Sequence, residues 1–327
     1  MKVLLELSME CEPLSRSEAI AAAETLDTKV RVLEQAPGVL VLETDADPEA
    51  LGRRLGLCHF ISEWYFSCPA DELEQRAREL YVEGPIRVRS TKVGNGKIDL
   101  ASVSRKVGGI VGRSGGVDLK SPATDLRIVF SDSVHVGRVL WTVDRASFER
   151  RKNRFMPFFY PASLHPKYAR ALVNLARVRE DQSILDPFCG TGAILAEAAL
   201  VGLDPIGTDV SDKMIEGSRR NLSHLGLEAD LHACDVGDIE RVVGPISGIA
   251  TDPPYGKSTS TGGEGIPELY SRSFEAFSEV LPKNGLVSIV VPKLSLIDGV
   301  AGFRLLEEHA LWVHRSLTRH FCVLKKS

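Results

Sequence analysis

Apolar positions change period several times along the chain, and each change marks a predicted element. Residues 2–8 read as a strand, 15–25 as a helix capped by Ser15, 29–34 and 38–43 as strands joined around Gly38, 48–55 as a helix and 58–66 as a strand. That order, β-α-β-β-α-β, is ferredoxin-like. A helix near 71–82 follows, then an alternating strand over 85–90 with Arg87 and Arg89 on one face, a helix over 98–111, and strands over 126–130 and 134–142. Further on, the run through Ile184 and Leu185 reads as a buried strand end, and 192–199 opens a strong helix. Strands over 204–209, 230–234 and 247–251 come next, and each predicted strand of this half leads into a carboxylate: Asp186, Asp209, Asp235 or Asp252.

The turn Asp186-Pro187-Phe188-Cys189-Gly190-Thr191-Gly192 joins a strand to a helix, a place where glycines usually imply phosphate binding. It has neither the three spaced glycines of a dinucleotide fingerprint nor the Lys-Ser/Thr of a P-loop. Asp186 would repel a pyrophosphate but suits the ammonium of a methionine moiety, and S-adenosylmethionine carries that ammonium without a phosphate. Asp209 lies 19 residues past Gly190, about where doubly wound folds bind a ribose, with Val210 beside it. Asp235 and Val236 are placed to meet an adenine amino group. Any one of these carboxylates alone reads as a helix cap or turn residue; three in order at strand ends, in register with a glycine turn, point to the cosubstrate. Cys189 has no sequence-adjacent base and packs in or lines the turn.

Asp252-Pro253-Pro254-Tyr255 begins 60 residues after Gly192. Consecutive prolines have no N–H, so this lip offers only carbonyl and carboxylate acceptors to a donor such as an exocyclic amino group. Asp252 and the Pro253 carbonyl would favour a pyramidal nitrogen and stabilise its developing charge, and Tyr255 supplies a stacking face worth roughly 1–3 kcal/mol per base. A target inside a helix must first leave its stack. The segment 257–265, rich in Gly, Ser and Thr, is either a loop that closes over the extruded nucleotide or an ordinary surface loop.

Charge divides the chain more sharply than its net −4 suggests. Residues 1–85 hold 8 basic against 17 acidic side chains, residues 86–154 hold 15 against 6, and the remainder holds 17 against 21. A basic block between acidic ones is a footprint for a polyanion. Its available phosphate contacts are Arg87, Arg89, Lys92, Lys97, Arg105, Lys106, Arg113 and Lys120. Six cysteines without a Cys-x-x-Cys pair indicate no zinc site and no disulfide framework, and the opening residues are too short an apolar run for a signal peptide. No stretch reaches the ~18–20 apolar residues of a membrane span. A cytoplasmic protein without membrane contact is expected.

From about residue 155 onward the chain resembles amino-directed, S-adenosylmethionine-dependent methyltransferases with a Rossmann-like fold. Residues 158–177 (Phe158-Phe159-Tyr160-Pro161 through Leu175-Ala176-Arg177) and Asp252 to Thr259 are similar to the THUMP-containing tRNA guanine-N2 methyltransferases. Gly116 to Pro122 and Ser147 to Arg151 resemble a THUMP domain. The resemblance implies four parts: a ferredoxin-like domain over 1–66, a THUMP RNA-binding domain over 67–146, a linker over 147–165 and a methyltransferase domain over 166–327. It implies S-adenosylmethionine as cosubstrate, a guanosine at position 10 of tRNA as target, and N2-methyl- or N2,N2-dimethylguanosine as product. The THUMP segment would grip the 3′ end of tRNA; DNA is not expected. His165, in the leader to the sheet, either borders the donor pocket or is structural. Some relatives use a small zinc-binding activator subunit. The core motifs alone also fit methyltransferases acting at another tRNA position, on rRNA or on DNA, and the alternative of another class is a non-catalytic RNA-binding protein.

Overall fold

A computed structural model describes residues 1–94, 96–113, 115–161, 163–255 and 264–327. They divide into two compact units, one of residues 1–16, 26–53 and 58–143, the other of residues 17–25, 54–57 and 144–327. The chain begins with β1 (Lys2–Leu7), α1 (Glu12–Leu26), β2 (Arg31–Ala36), β3 (Val39–Glu43), α2 (Pro48–Arg54) and β4 (Cys58–Cys68). It continues with α3 (Leu73–Glu79), β5 (Ile86–Lys92), α4 (Leu100–Val111), β6 (Thr124–Phe130) and β7 (Val134–Thr142).

These seven strands form one sheet in the order β2-β3-β1-β4-β7-β6-β5. β1 pairs antiparallel with both β3 and β4, while β5 and β6 run parallel. Alternation in β5 has a direct cause: Ile86 and Val88 enter a core with Leu73 of α3 and Val107 and Val111 of α4, which leaves Arg87 and Arg89 on the other face. The helix expected from residue 15 starts at Glu12, so Ser15 is not its N-cap. Its Oγ instead donates inside the first turn to the Ser8 and Cys11 carbonyls at 2.9 and 3.1 Å. Pro13 is tolerated there because first-turn N–H groups have no helical partner. The helix expected over 71–82 is shorter, since Leu80 turns extended at ψ 128°.

The second unit contains α5 (Arg145–Arg150), α6 (Pro166–Leu175), β8 (Ser183–Asp186), α7 (Ala193–Ala199), β9 (Asp204–Asp209) and α8 (Asp212–His224). Then come β10 (Asp230–Ala233), β11 (Gly248–Thr251), α9 (Ile266–Val280), β12 (Leu286–Val291), β13 (Phe303–His314) and β14 (Leu317–Lys326). Sheet order is β10-β9-β8-β11-β12-β14-β13. β8 to β12 are parallel, and β14 inserts antiparallel between β12 and β13. This is an α/β fold, with Tyr270, Phe274 and Phe277 of α9 packed on Leu185, Ile249, Val287 and Ile289 on one face. On the other, Leu195 of α7 meets Ile215 and Leu222 of α8. Succession runs outward from β8 to β9 and β10 on one side and from β11 to β12 on the other. The carboxyl ends of β8 and β11 therefore flank a switch point, where such sheets open a crevice. Among the described residues no helix is long and apolar enough to cross a membrane.

Candidate active site

Every strand-end carboxylate singled out from the sequence reaches that edge. Asp186, Asp209, Asp235 and Asp252 line one cavity of about 1410 Å³. Ligand pockets commonly hold about 300–1,000 Å³, so this one has room for a cosubstrate and a nucleoside together. Phe188, Cys189, Gly190 and Thr191 of the turn line it, as do Val210, Val236, Pro253, Pro254 and Tyr255.

Two expected site residues stand off the cavity wall. Gly192 takes φ +80°, and a Cβ there would lie 2.3 Å from Ser218 Oγ, so it serves close approach of the turn to α8. His165 caps α6: its Nδ1 accepts from the Lys167 N–H at 3.2 Å, and its Nε2 lies 3.2 Å from Glu149. Burial and the neighbouring Lys167 and Lys152 lower its pKa. Cys189 is buried, and burial together with the adjacent carboxylates holds its thiol far from ionisation. The segment 257–265 lies outside the described residues up to Gly263.

Asp186 is 2% exposed and accepts from Thr251 Oγ1 at 2.8 Å and from the Phe188 N–H at 3.2 Å. Burial, reinforced by the charges of Asp252 and Asp209, still pushes its pKa up to about 7. Asp209 accepts from the Gly190 and Ser211 N–H groups at 3.1 and 2.9 Å, which fixes both oxygens at the turn. Burial raises its pKa as well. Asp235 differs: Arg272 of α9 grips it together with Glu264 and holds its pKa down. Burial raises the pKa of Asp252, against the charge of Arg319 and a 2.5 Å hydrogen bond from the Tyr255 hydroxyl.

Asp186, whose pKa the charges of Asp209 and Asp252 help to raise, fits a cationic occupant beside the glycine turn. S-adenosylmethionine suits the site: Asp186 and Asp209 flank the turn, and Val210, 70% exposed at the rim, offers an apolar face to a ring. Four residues of this site left no trace in the sequence. Thr251 ties the ends of β8 and β11 together; Asn221 of α8 binds the Thr191 and Phe158 carbonyls, both at 3.0 Å, and so moors the 158–165 leader to the glycine turn. Arg272 and Arg319 are the other two. All four act across long sequence separations.

In the first unit, Arg87 and Arg89 are less available than their alternation suggests, because both close on Asp125 of β6 at 2.6 and 2.5 Å. Lys106 pairs with Glu74 at 3.4 Å, and Lys92 donates to the Gly96 carbonyl at 2.5 Å. Lys97, Arg105, Arg113 and Lys120 are exposed.

The family description "RMKL-like, methyltransferase domain" matches residues 153–320. The chain is 34% identical to the tRNA (guanine(10)-N2)-dimethyltransferase of Methanothermobacter thermautotrophicus, with 100% of both chains covered. It is also 34% identical to the protein of that name from Pyrococcus abyssi, over 75% of each. Among solved structures, TrmN from Thermus thermophilus shares the fold with a TM-score of 0.58 at 23% identity, covering 100% of both chains. With a crevice suited to a sulfonium cosubstrate and this likeness along its full length, the chain belongs to the S-adenosylmethionine-dependent methyltransferase family of the tRNA (guanine(10)-N2)-dimethyltransferases.

Proposed function

We propose that the chain methylates the exocyclic N2 of guanosine 10 in tRNA, giving N2-methylguanosine and then N2,N2-dimethylguanosine. The acceptor-rich rim carries this reading: Asp252 offers a carboxylate, and Pro253 and Pro254 offer carbonyls without an N–H, beside the acidic strand ends. When bound, S-adenosylmethionine supplies an electrophilic methyl group. Asp186 receives its ammonium, Asp209 its ribose hydroxyls and Asp235 its adenine amino group, with Val210 and Val236 against the ring. Gly190, at φ +50°, lets the backbone approach closely, while Phe188, Cys189 and Thr191 wall the turn.

The N2 lone pair is delocalised into the purine. Hydrogen bonds from its protons to Asp252 and the Pro253 carbonyl favour a pyramidal nitrogen, and the carboxylate stabilises the charge that develops there. Tyr255 occupies one Asp252 oxygen and leaves the other for N2, its ring supporting the base. After transfer the nitrogen must lose a proton; Asp252, whose pKa burial raises, is the acceptor at hand.

Upstream, the order β2-β3-β1-β4 supports a ferredoxin-like segment over 1–66, and the basic β5–β7 region supports a THUMP segment over 67–146 that holds tRNA, with 147–165 as linker. The names of the archaeal relatives support tRNA as the substrate. Incubating tRNA with the protein and labelled cosubstrate, followed by nucleoside mass spectrometry, tests the proposal. N2-methylated guanosine mapped to position 10 is expected; methyl incorporation only at adenine or in rRNA, or none at all, overturns it. The same assay with and without a small zinc-binding partner shows whether an activator is required.

A further inference from the structure

We propose that Arg319 reads the acceptor edge of the target base, donating to O6 or N7 of guanine while Asp252 and Pro253 hold N2. The inference rests on the function proposed above. Sheet order separates the cavity into two sides about Asp252: β8, β9 and β10 bring the cosubstrate's three carboxylates, while the wall toward β12 and β14 is formed by Pro292, Lys293, Leu296, His314, Leu317 and Arg319. Among the described residues that second wall carries no carboxylate. It is the side left for the nucleoside.

Arg319 is half-buried, and its buried Nε has no hydrogen-bond partner among the described residues. The Nε is enclosed, so contact with a base falls to the two terminal nitrogens of the guanidinium, which are not buried, enter no hydrogen bond or ion pair among the described residues and belong to a residue of the cavity wall. Arg272, on the same cavity, contrasts with it because Asp235 and Glu264 already occupy its guanidinium. Arg319 is also held rigidly, opposite Leu311 of β13 and two residues before the fully buried Phe321, which packs on Tyr168 with ring centroids 5.9 Å apart. Its charge is felt at Asp252 and Tyr255. Guanine presents N1–H and N2–H donors on one edge and the O6 and N7 acceptors on another. An acceptor-rich rim facing a donor-only guanidinium matches both edges of guanine, whereas adenine has no amino group at C2 and places a donor at C6.

The test uses tRNA transcripts assembled with either guanosine or 2,6-diaminopurine riboside at the target position. The analogue keeps the reacting amino group but replaces O6 by a donor. Wild-type protein should favour guanosine by about 5- to 150-fold in kcat/KM, the discrimination of one good bidentate contact, and Arg319→Ala should bring the two substrates within a few fold. Unchanged affinity for S-adenosylhomocysteine would show that the variant is folded; Arg319→Lys, with an intermediate ratio, serves if it is not. A wild-type protein with no preference overturns the assignment, and so does an alanine variant that keeps the wild-type ratio. Were Arg319 only a counter-charge for Asp252, its loss would slow both substrates equally and move the acid limb of the rate profile upward, which also excludes base reading. If wild-type protein methylates neither transcript, the proposed function fails rather than this inference.

Discussion

At Asp186 burial outweighs two hydrogen bonds, and the site's chemistry turns on that balance. Its pKa of about 7 lies well above the ordinary 3.8, because burial favours the neutral acid. The corresponding stability is fully present below pH about 4 and is lost as pH rises through about 7. With Asp186 receiving the cosubstrate's ammonium, as proposed, binding has the opposite sign, because an ammonium requires the ionised carboxylate. Calorimetry should find affinity rising with pH toward about 7 and levelling above it, by at most about tenfold per pH unit on the acid limb. A flat profile would remove Asp186 from the cation site. Asp252→Asn keeps the shape of the rim but loses the charge that, in the proposed mechanism, stabilises the alkylated nitrogen. Turnover should fall about 10²- to 10³-fold, the cost of one preorganised electrostatic contact, with cosubstrate affinity within a few fold. Equal losses in both would mark Asp252 as structural. These carboxylates were legible because strand, glycine turn and acid lie within a few residues of one another. Thr251, Asn221, Arg272 and Arg319 were not, since the site groups they act on, Asp186, Thr191, Asp235 and Asp252, lie 30 or more residues away.

Elements were legible where one face is buried and the other wet. β5 alternates because α3 and α4 cover one side of it, whereas β8 and β11, buried on both faces, show as short apolar runs ended by an acid, and β9, with Ile206 its one aliphatic side chain, shows by its closing Asp209. The β13–β14 hairpin left little sequence signal: β13 is an edge strand with mostly exposed side chains and register shifts at Leu305/Glu307 and Trp312/His314. Helix α1 began earlier than its apolar spacing implied, and its role was hidden too. Glu18, fully buried on it, accepts the Gly56 and Leu57 N–H groups at 2.8 Å each and the Asn174 amide of α6 at 3.0 Å. Helical periodicity places an acid at that position without revealing that its partners lie in a loop and a distant helix. Glu18→Ala would orphan both backbone donors, at about 1–3 kcal/mol for each, and should lower the urea midpoint with unchanged slope. Glu18→Gln retains an acceptor and should lose less; equal midpoints for both variants and wild type would show that water replaces the carboxylate.

Over the whole molecule, the basic block spanning 86–154 carries the excess of positive charge, and the structure sorts its charges by availability. Arg87 and Arg89 share Asp125 and so brace β5 against β6, whereas Arg105 and Lys120 are exposed and enter no ion pair among the described residues. Reversing Arg87 would place two carboxylates together at a half-buried position, so lost tRNA binding in that variant should come with lost stability. Arg105→Glu and Lys120→Glu should leave the melting temperature within about a degree or two, as surface changes usually do. Each phosphate contact contributes about −0.7 to −0.9 to the slope of log affinity against log salt. The double variant should therefore bind tRNA more weakly at low salt with a slope shallower by about 1.5, and cosubstrate affinity should not move. An unaltered slope would place the RNA-binding face away from α4 and the Lys120 turn.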